Sequence, residues 1–152
     1  LRVNMTLCFS EEQAAAVYVA TKGAGKGQVL ISPFVGRLDD VSQDGISLIE
    51  NISKLYSSGD GHVEILAASI RSTEHLTRLL DLSVDIITAP IELFEDYEKK
   101  KTSLVDVRNL EKIPYVGYSL EMDIADYNIN HPLTDVGLSK FVKDWKSILN
   151  EE

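Results

Sequence analysis

A single cysteine, Cys8, stands in 152 residues, which excludes an internal disulfide and suits a reducing compartment. No apolar run approaches the roughly 20 residues of a membrane span, and no signal-peptide pattern opens the sequence. Positive charge is short: 15 Lys and Arg against 24 Asp and Glu leave a net charge of −9. That balance argues against non-specific binding to nucleic acid or to an anionic membrane. An anionic substrate therefore needs a local group of Arg or Lys. The three histidines, His62, His75 and His131, are scattered, and no Cys or His spacing suggests a metal. Initiator Met and lead-in are missing too. Leu1 to Leu7 reads as the first residues of a strand, with the expectation that the chain starts inside a larger fold.

What is present is ordinary globular material, 44% hydrophobic and 26% charged, long enough for one compact domain with its own core. Val3, Met5 and Leu7 alternate with Asn4, Thr6 and Cys8, the period of a strand. Asn4 and Thr6 then share a face pointing away from a helical layer. Polar side chains there either satisfy each other or line a site. Ser10-Glu11-Glu12-Gln13 is a capping-box signature, with Ser10 as N-cap and Gln13 reaching back. The Ala-rich helix behind it stops near Gly23 to Gly27. The spacing of Gly23, Gly25 and Gly27 imitates a nucleotide-binding fingerprint, but it follows a helix and precedes a strand, the wrong context.

Further strands are expected over Gln28 to Ser32, Val63 to Ser69 and Val84 to Thr88. Helices are expected on Leu48, Ile49, Ile52, Leu55 and Tyr56, on Leu76, Leu79 and Leu80 behind a Ser72 cap, and from Ile91 to about Lys101. Residues 2–90 thus read as four βα units. That alternation predicts a parallel sheet with helices outside it, either open and doubly wound or half of a barrel. Residues 102–130 read as an insertion or irregular segment, over the site face or at an interface. A terminal helix is expected over 133–149, with Thr134 as N-cap and Leu133 and Leu138 as a hydrophobic staple. Its stripe of Leu138, Phe141, Val142, Trp145, Ile148 and Leu149 is wide enough to pack on another subunit.

The stretch Ile31 to Asp40 leaves a β-branched run, passes Pro33 and then sets Gly36 and Arg37 just beyond a strand end. Ala68-Ser69-Ile70-Arg71 repeats the pattern. Parallel sheets place ligands at that edge, where Asn4, Thr6, Ser32, Arg37, Ser69 and Arg71 all fall. Two guanidinium forks with a Ser between them suit a phosphate, and Asn, Thr and Ser further in suit a polyhydroxylated substrate. The residues alone point to a sugar-phosphate-like ligand.

Asn4-Met5-Thr6-Leu7-Cys8-Phe9-Ser10 with Gln13-Ala14, then Ile31-Ser32-Pro33-Phe34-Val35-Gly36-Arg37, then Ala68-Ser69-Ile70-Arg71 closely resemble the transaldolase family. His131-Pro132-Leu133-Thr134-Asp135, with Gly137-Leu138 and Phe141 to Trp145, resembles the C-terminus of its short-chain members. The resemblance covers roughly residues 2–90 and 131–146. It implies a (β/α)₈ barrel of which this chain is strands five to eight plus a terminal helix, in a cytoplasmic transferase of carbohydrate metabolism in the pentose phosphate pathway. It implies Schiff-base chemistry without a cofactor. A strand-four lysine attacks a ketose phosphate (sedoheptulose 7-phosphate or fructose 6-phosphate), and an aldose phosphate acceptor collects the retained dihydroxyacetone unit.

Carried onto this sequence, Asn4 and Ser32 hold the dihydroxyacetone hydroxyls, Thr6 positions a water, and Arg37, Ser69 and Arg71 bind the phosphate. Phe34 sides with transfer; related fructose 6-phosphate aldolases carry Tyr there. The family's lysine, with a proton-relaying Glu and an Asp, lies upstream of the part resembled. No lysine here falls on an expected strand: Lys22, Lys26 and Lys54 lie at helix ends or in loops, and the rest follow Glu98. The expected partners are sugar phosphates, the complementary half of a barrel or a second copy. The isolated chain is expected to be inactive. The other readings are a fructose 6-phosphate aldolase-like enzyme and a non-catalytic sugar-phosphate-binding half-barrel.

Overall fold

The computed structural model describes residues 1–99 and 109–149. The first strand, β1 (Val3–Cys8), leads into α1 (Glu11–Ala20), and β2 (Val29–Pro33) into a short α2 (Val35–Asp39). A two-residue β3 (Gln43–Asp44) precedes α3 (Gly45–Tyr56), and β4 (Val63–Ala67) precedes α4 (Thr73–Asp81). Then come β5 (Ile86–Ile87), α5 (Ile91–Glu98), a two-residue β6 (Glu111–Lys112), a 3₁₀ turn (Ile124–Asp126) and α6 (Pro132–Leu149). No helix among the described residues is long and apolar enough to cross a membrane.

Four strands pair in parallel in the order β1-β2-β4-β5, so strand order follows chain order without reversal. Alternation decides the two faces. Val29, Ile31, Val63, Ile65 and Ala67 are buried in one core with Ala14, Ala15, Ile49, Ile52 and Leu55 of α1 and α3. The other face carries Asn4 and Thr6, which are exposed, and Leu30, Glu64 and Leu66, which are half-buried. Of its polar residues only Ser32 is buried. At the edge of the four-stranded sheet, β1 leaves both Asn4 and Thr6 in the open.

Two non-glycine residues with positive φ break the expected parity. Leu7, at φ 58°, puts a register shift into β1 between Met5 and Cys8, at a cost of about 1 kcal/mol for a left-handed L-residue. Cys8 consequently leaves the Asn4/Thr6 face and is buried. Ser69, at φ 60°, ends the extended chain after β4; Arg71 would share the Val63 face only if the chain stayed extended, and it does not. The fourth strand is also shorter than expected, Ile86–Ile87 in place of Val84 to Thr88. α5 is described to Glu98, and the expected continuation to Lys101 runs outside the described residues.

The first turn of α1 organises the rest. Ser10 Oγ accepts from Gln13 N at 3.1 Å, as a cap should. Gln13 reaches back one residue further than a capping box requires: its Oε1 accepts from Phe9 N at 2.8 Å. Its Nε2 donates to Ile129 O and to Thr134 Oγ1, at 2.8 and 3.0 Å. Buried Glu11 accepts from the amides of Val116, Gly117 and Tyr118 at 3.0, 2.7 and 3.3 Å. Glu12 accepts from Asn128 N at 2.8 Å and from the Tyr118 hydroxyl at 3.2 Å. Helix N-termini in parallel βα units lie at the C-terminal edge of the sheet. Residues 116–130 are thus tied to the rim that bears the candidate site; 100–108 lie outside the described residues.

Two expectations about the last helix are corrected. It begins at Pro132, and Thr134 sits in its first turn, donating its hydroxyl to Leu7 O at 2.9 Å in place of capping. The register shift at Leu7 frees that carbonyl. Leu138 is 51% exposed, so the staple with Leu133 is not made, and the stripe from Phe141 to Leu149 faces solvent.

Because three amides converge on one buried carboxylate, Glu11→Ala is expected to cost about 2 kcal/mol. Urea unfolding with hydrogen exchange checks this: the Val116, Gly117 and Tyr118 amides should lose protection before the β2 and β4 amides do.

Candidate functional site

Strand pairing continues past the ends of β2 and β4. Phe34 bridges Ala68 in parallel register, Val35 N donates to Ala68 O at 3.0 Å, and Gly36 N donates to Ser69 O at 3.0 Å. The left-handed backbone at Ser69 belongs to this turn. A β-carbon on Gly36 would lie 2.5 Å from Ser69 O and 2.6 Å from Arg71 Nε. Only glycine lets the two loops meet.

Arg37, in α2, crosses the Phe34 ring with its guanidinium carbon 5.6 Å from the centroid, a cation–π contact. Phe34 meets Phe9 edge-on at 6.0 Å, and Phe9 stacks on His131 at 5.3 Å. A β-carbon on Gly137 would lie 2.6 Å from Leu7 Cδ2 and 3.3 Å from Arg37 Nη1. Glycine there lets α6 close against β1 and the Arg37 side chain. Arg71 forks onto Asp40, Nη2 donating to Oδ2 at 2.9 Å and Nη1 contacting Oδ1. Behind the rim, buried His75 places Nε2 2.9 Å from Asp39 Oδ2, close but poorly aligned for a hydrogen bond. Its Nδ1 faces the Arg71 amide at 3.5 Å. Asp39 Oδ1 accepts from Gly45 N at 3.1 Å. The last turn of α2 thus holds both ends of Arg71.

On the uncovered sheet face, Ser32 Oγ donates to Asn4 Oδ1 at 2.7 Å. Thr6 stands exposed on the same strand as Asn4. The arrangement offers one guanidinium with no ion pair among the described residues, a second on a surface carboxylate, and a hydroxyl–amide pair at the same sheet edge.

Other reactive groups have structural explanations. Burial pushes the Cys8 thiol up to about 12, only partly offset by its contact with Ser10 O. His62 is buried at the opposite sheet edge, with Nδ1 in close contact with Asp60 Oδ1 and Nε2 3.0 Å from Thr21 Oγ1. The His62 side chain, with the Tyr18 hydroxyl, holds the Asp60 carboxyl down to about 2. Burial, opposed by the Asp135 charge, lowers the His131 pKa. No group of three metal-ligating side chains occurs among the described residues. One expectation about lysines is corrected: Lys112 does lie on a strand, but on exposed β6, paired with β3 outside the four-stranded sheet. Lys54 covers the Tyr115 ring at 3.9 Å, and Lys100 and Lys101 lie outside the described residues.

A family model described as Transaldolase/Fructose-6-phosphate aldolase matches residues 1–152. The chain belongs to this family. Similar curated proteins include a "probable transaldolase" of Phocaeicola vulgatus, 33% identical over 148 residues, which are 97% of this chain and 51% of that protein. One from Cytophaga hutchinsonii is 36% identical with the same coverage, and one from Ruegeria sp. is 38% identical over 96% of this chain and 50% of that protein. The chain spans about half the length of the curated relatives it matches.

Within this transaldolase-family chain, the turn that carries Arg37 abuts Ser69 and Arg71 through Gly36, and Asn4 and Ser32 are hydrogen bonded. Sequence reading missed the partners of these residues: Asp40 on Arg71, His75 and Asp39 behind it, and the Phe9–His131 stack. The acidic pair closing the Ile31 to Asp40 stretch was the available signal.

Gly36→Ala is expected to force the two loops apart, at about 1–3 kcal/mol by overpacking. Urea unfolding measures the loss, and the amide signals of Ser69 and Arg71 should shift while those of Val29 and Val63 stay in place.

Proposed function

We propose that this chain forms strands five to eight of a (β/α)₈ barrel and supplies the phosphate- and hydroxyl-binding half of a transaldolase site. The observation that carries this reading is the abutment of Gly36 on Ser69 and Arg71, at the same sheet edge as the Asn4–Ser32 pair. Two further features support it. Strand order advances without the reversal that marks a doubly wound sheet, and the described residues leave Asn4 and Thr6 of one sheet face exposed, as the inner wall of an open barrel would be.

In this reading a ketose phosphate, sedoheptulose 7-phosphate or fructose 6-phosphate, lies along the rim. Arg37, Ser69 and Arg71 take its phosphate, because charge-assisted bonds from planar guanidinium groups match phosphate oxygens. Asn4 and Ser32 hold the hydroxyls of the dihydroxyacetone unit, and Thr6 positions a water for proton transfer. The attacking lysine comes from a strand outside these residues. None of the described lysines is desolvated at this edge, and a lysine needs desolvation or neighbouring cations to be nucleophilic at neutral pH. The retained unit then passes to an aldose phosphate. Phe34 brings a phenyl ring with no hydroxyl for the water, which suits transfer over release. The exposed stripe of α6 and the open strand edges suit association with the complementary half-barrel or a second copy. A cytoplasmic place in carbohydrate metabolism follows from the same reading.

Borohydride reduction with fructose 6-phosphate tests this on the chain alone and on the chain refolded with the N-terminal half of the Cytophaga hutchinsonii relative. A reduced adduct should form only in the mixture, on a lysine of the added half. Arg37→Ala should lower its yield at limiting substrate by about tenfold, the worth of one charge-assisted bond. An adduct on a lysine of this chain, or none in a folded mixture, contradicts the reading.

A further inference from the structure

Arg71 is not free to receive a ligand as it stands. Both terminal nitrogens of its guanidinium go to Asp40, and Nε and Cδ press against Gly36. A guanidinium fork serves one two-oxygen acceptor at a time, so the outward fork is already spent. Arg37 differs: it packs on the Phe34 ring and has no ion pair among the described residues. One arginine of the rim is open and the other is parked.

We propose that Asp40 is a displaceable stand-in for the ligand phosphate, holding Arg71 until an anion anchored by Arg37 takes the guanidinium over. This rests on the phosphate-binding reading above. Two carboxylates, Asp39 at the end of α2 and Asp40 as its C-cap, divide the work. Asp39 is 9% exposed and lies against a His75 that is 1% exposed, a contact closed to solvent. Asp40 and Arg71 are 54% and 44% exposed, and an ion pair in that setting is weak because water and salt screen it. The buried contact fixes where the Arg71 backbone stands, and the exposed one lets its side chain change acceptor. Between ligands, Asp40 keeps the guanidinium at the rim against Gly36 in place of leaving a long flexible side chain to sample many rotamers. On binding, phosphate oxygens replace the Asp40 carboxylate, and Asp40 returns to water at its own exposed position. The empty site thus costs little in order, and a bound phosphate meets a competitor that favours its release.

Isothermal titration of inorganic phosphate into the full chain tests this with wild type, Asp40→Asn, Asp40→Ser and Arg37→Ala. Circular dichroism confirms that each is folded. Both Asp40 variants should bind phosphate more tightly, by up to about fivefold, the range of an exposed ion pair, and Arg37→Ala should bind it more weakly than wild type. A gain in affinity is not what a merely structural role for Asp40 would produce. Wild-type binding that depends on Arg37 but is unchanged or weakened in both Asp40 variants overturns the stand-in and leaves the phosphate site intact. Binding seen in the Asp40 variants alone supports the stand-in. No phosphate binding in any variant overturns both.

Discussion

At Gly36 there is no room for a β-carbon, and the candidate site depends on that constraint. It lets backbone pairing run beyond β2 and β4, so that two connections which usually diverge from a sheet edge remain hydrogen bonded to each other. Arg37 and Arg71 then project from one continuous piece of backbone in place of two independent loops. Catalytic and binding groups gain precision when rigid elements hold them. Here the rigidity comes from two contacts made by the turn of α2: Gly36 on Ser69 and Asp39 on His75.

A second set of contacts brings distant chain to the same rim. Glu11, Glu12 and Gln13 occupy one helical turn, and their side chains reach residues from Val116 to Thr134. Helix N-terminal carboxylates are favourably placed by the helix dipole, and these also give the amides of Val116, Gly117, Tyr118 and Asn128 their acceptors. The last helix follows from that docking. Its Thr134 takes the carbonyl freed by the kink at Leu7, and its Gly137 fits against Leu7 close to Arg37. The outer stripe of that helix, with Trp145 62% exposed, contributes nothing to the core formed by the described residues.

The sequence was legible where the signal is local and repeated. Helical spacing in α3 and the caps at Ser10 and Ser72 rest on residues that are neighbours in sequence, and they stand in the structure. α2 was not legible because five residues are too few for a helical period to show. β3 and β6 pair Gln43 with Glu111, a contact no local pattern announces. The kinks at Leu7 and Ser69 escaped because neither residue is a glycine, so nothing in composition marks a left-handed backbone there; the parity of Cys8 was misjudged for that one reason. In the site, arginines at strand ends could be picked out one at a time. Their partners could not, since Asp40 meets Arg71 only because Gly36 brings the two loops together.

The most direct measurement is a phosphate titration followed through the backbone amide resonances. Phosphate held between the two loops should move the signals of Gly36, Arg37, Ser69 and Arg71 together with one saturating affinity. Gly61, His62 and Asp85, at the other edge of the sheet, should stay in place. Shifts that are largest at that other edge, or that spread along α6 while the two loops stay still, would contradict a phosphate site built on the contact at Gly36.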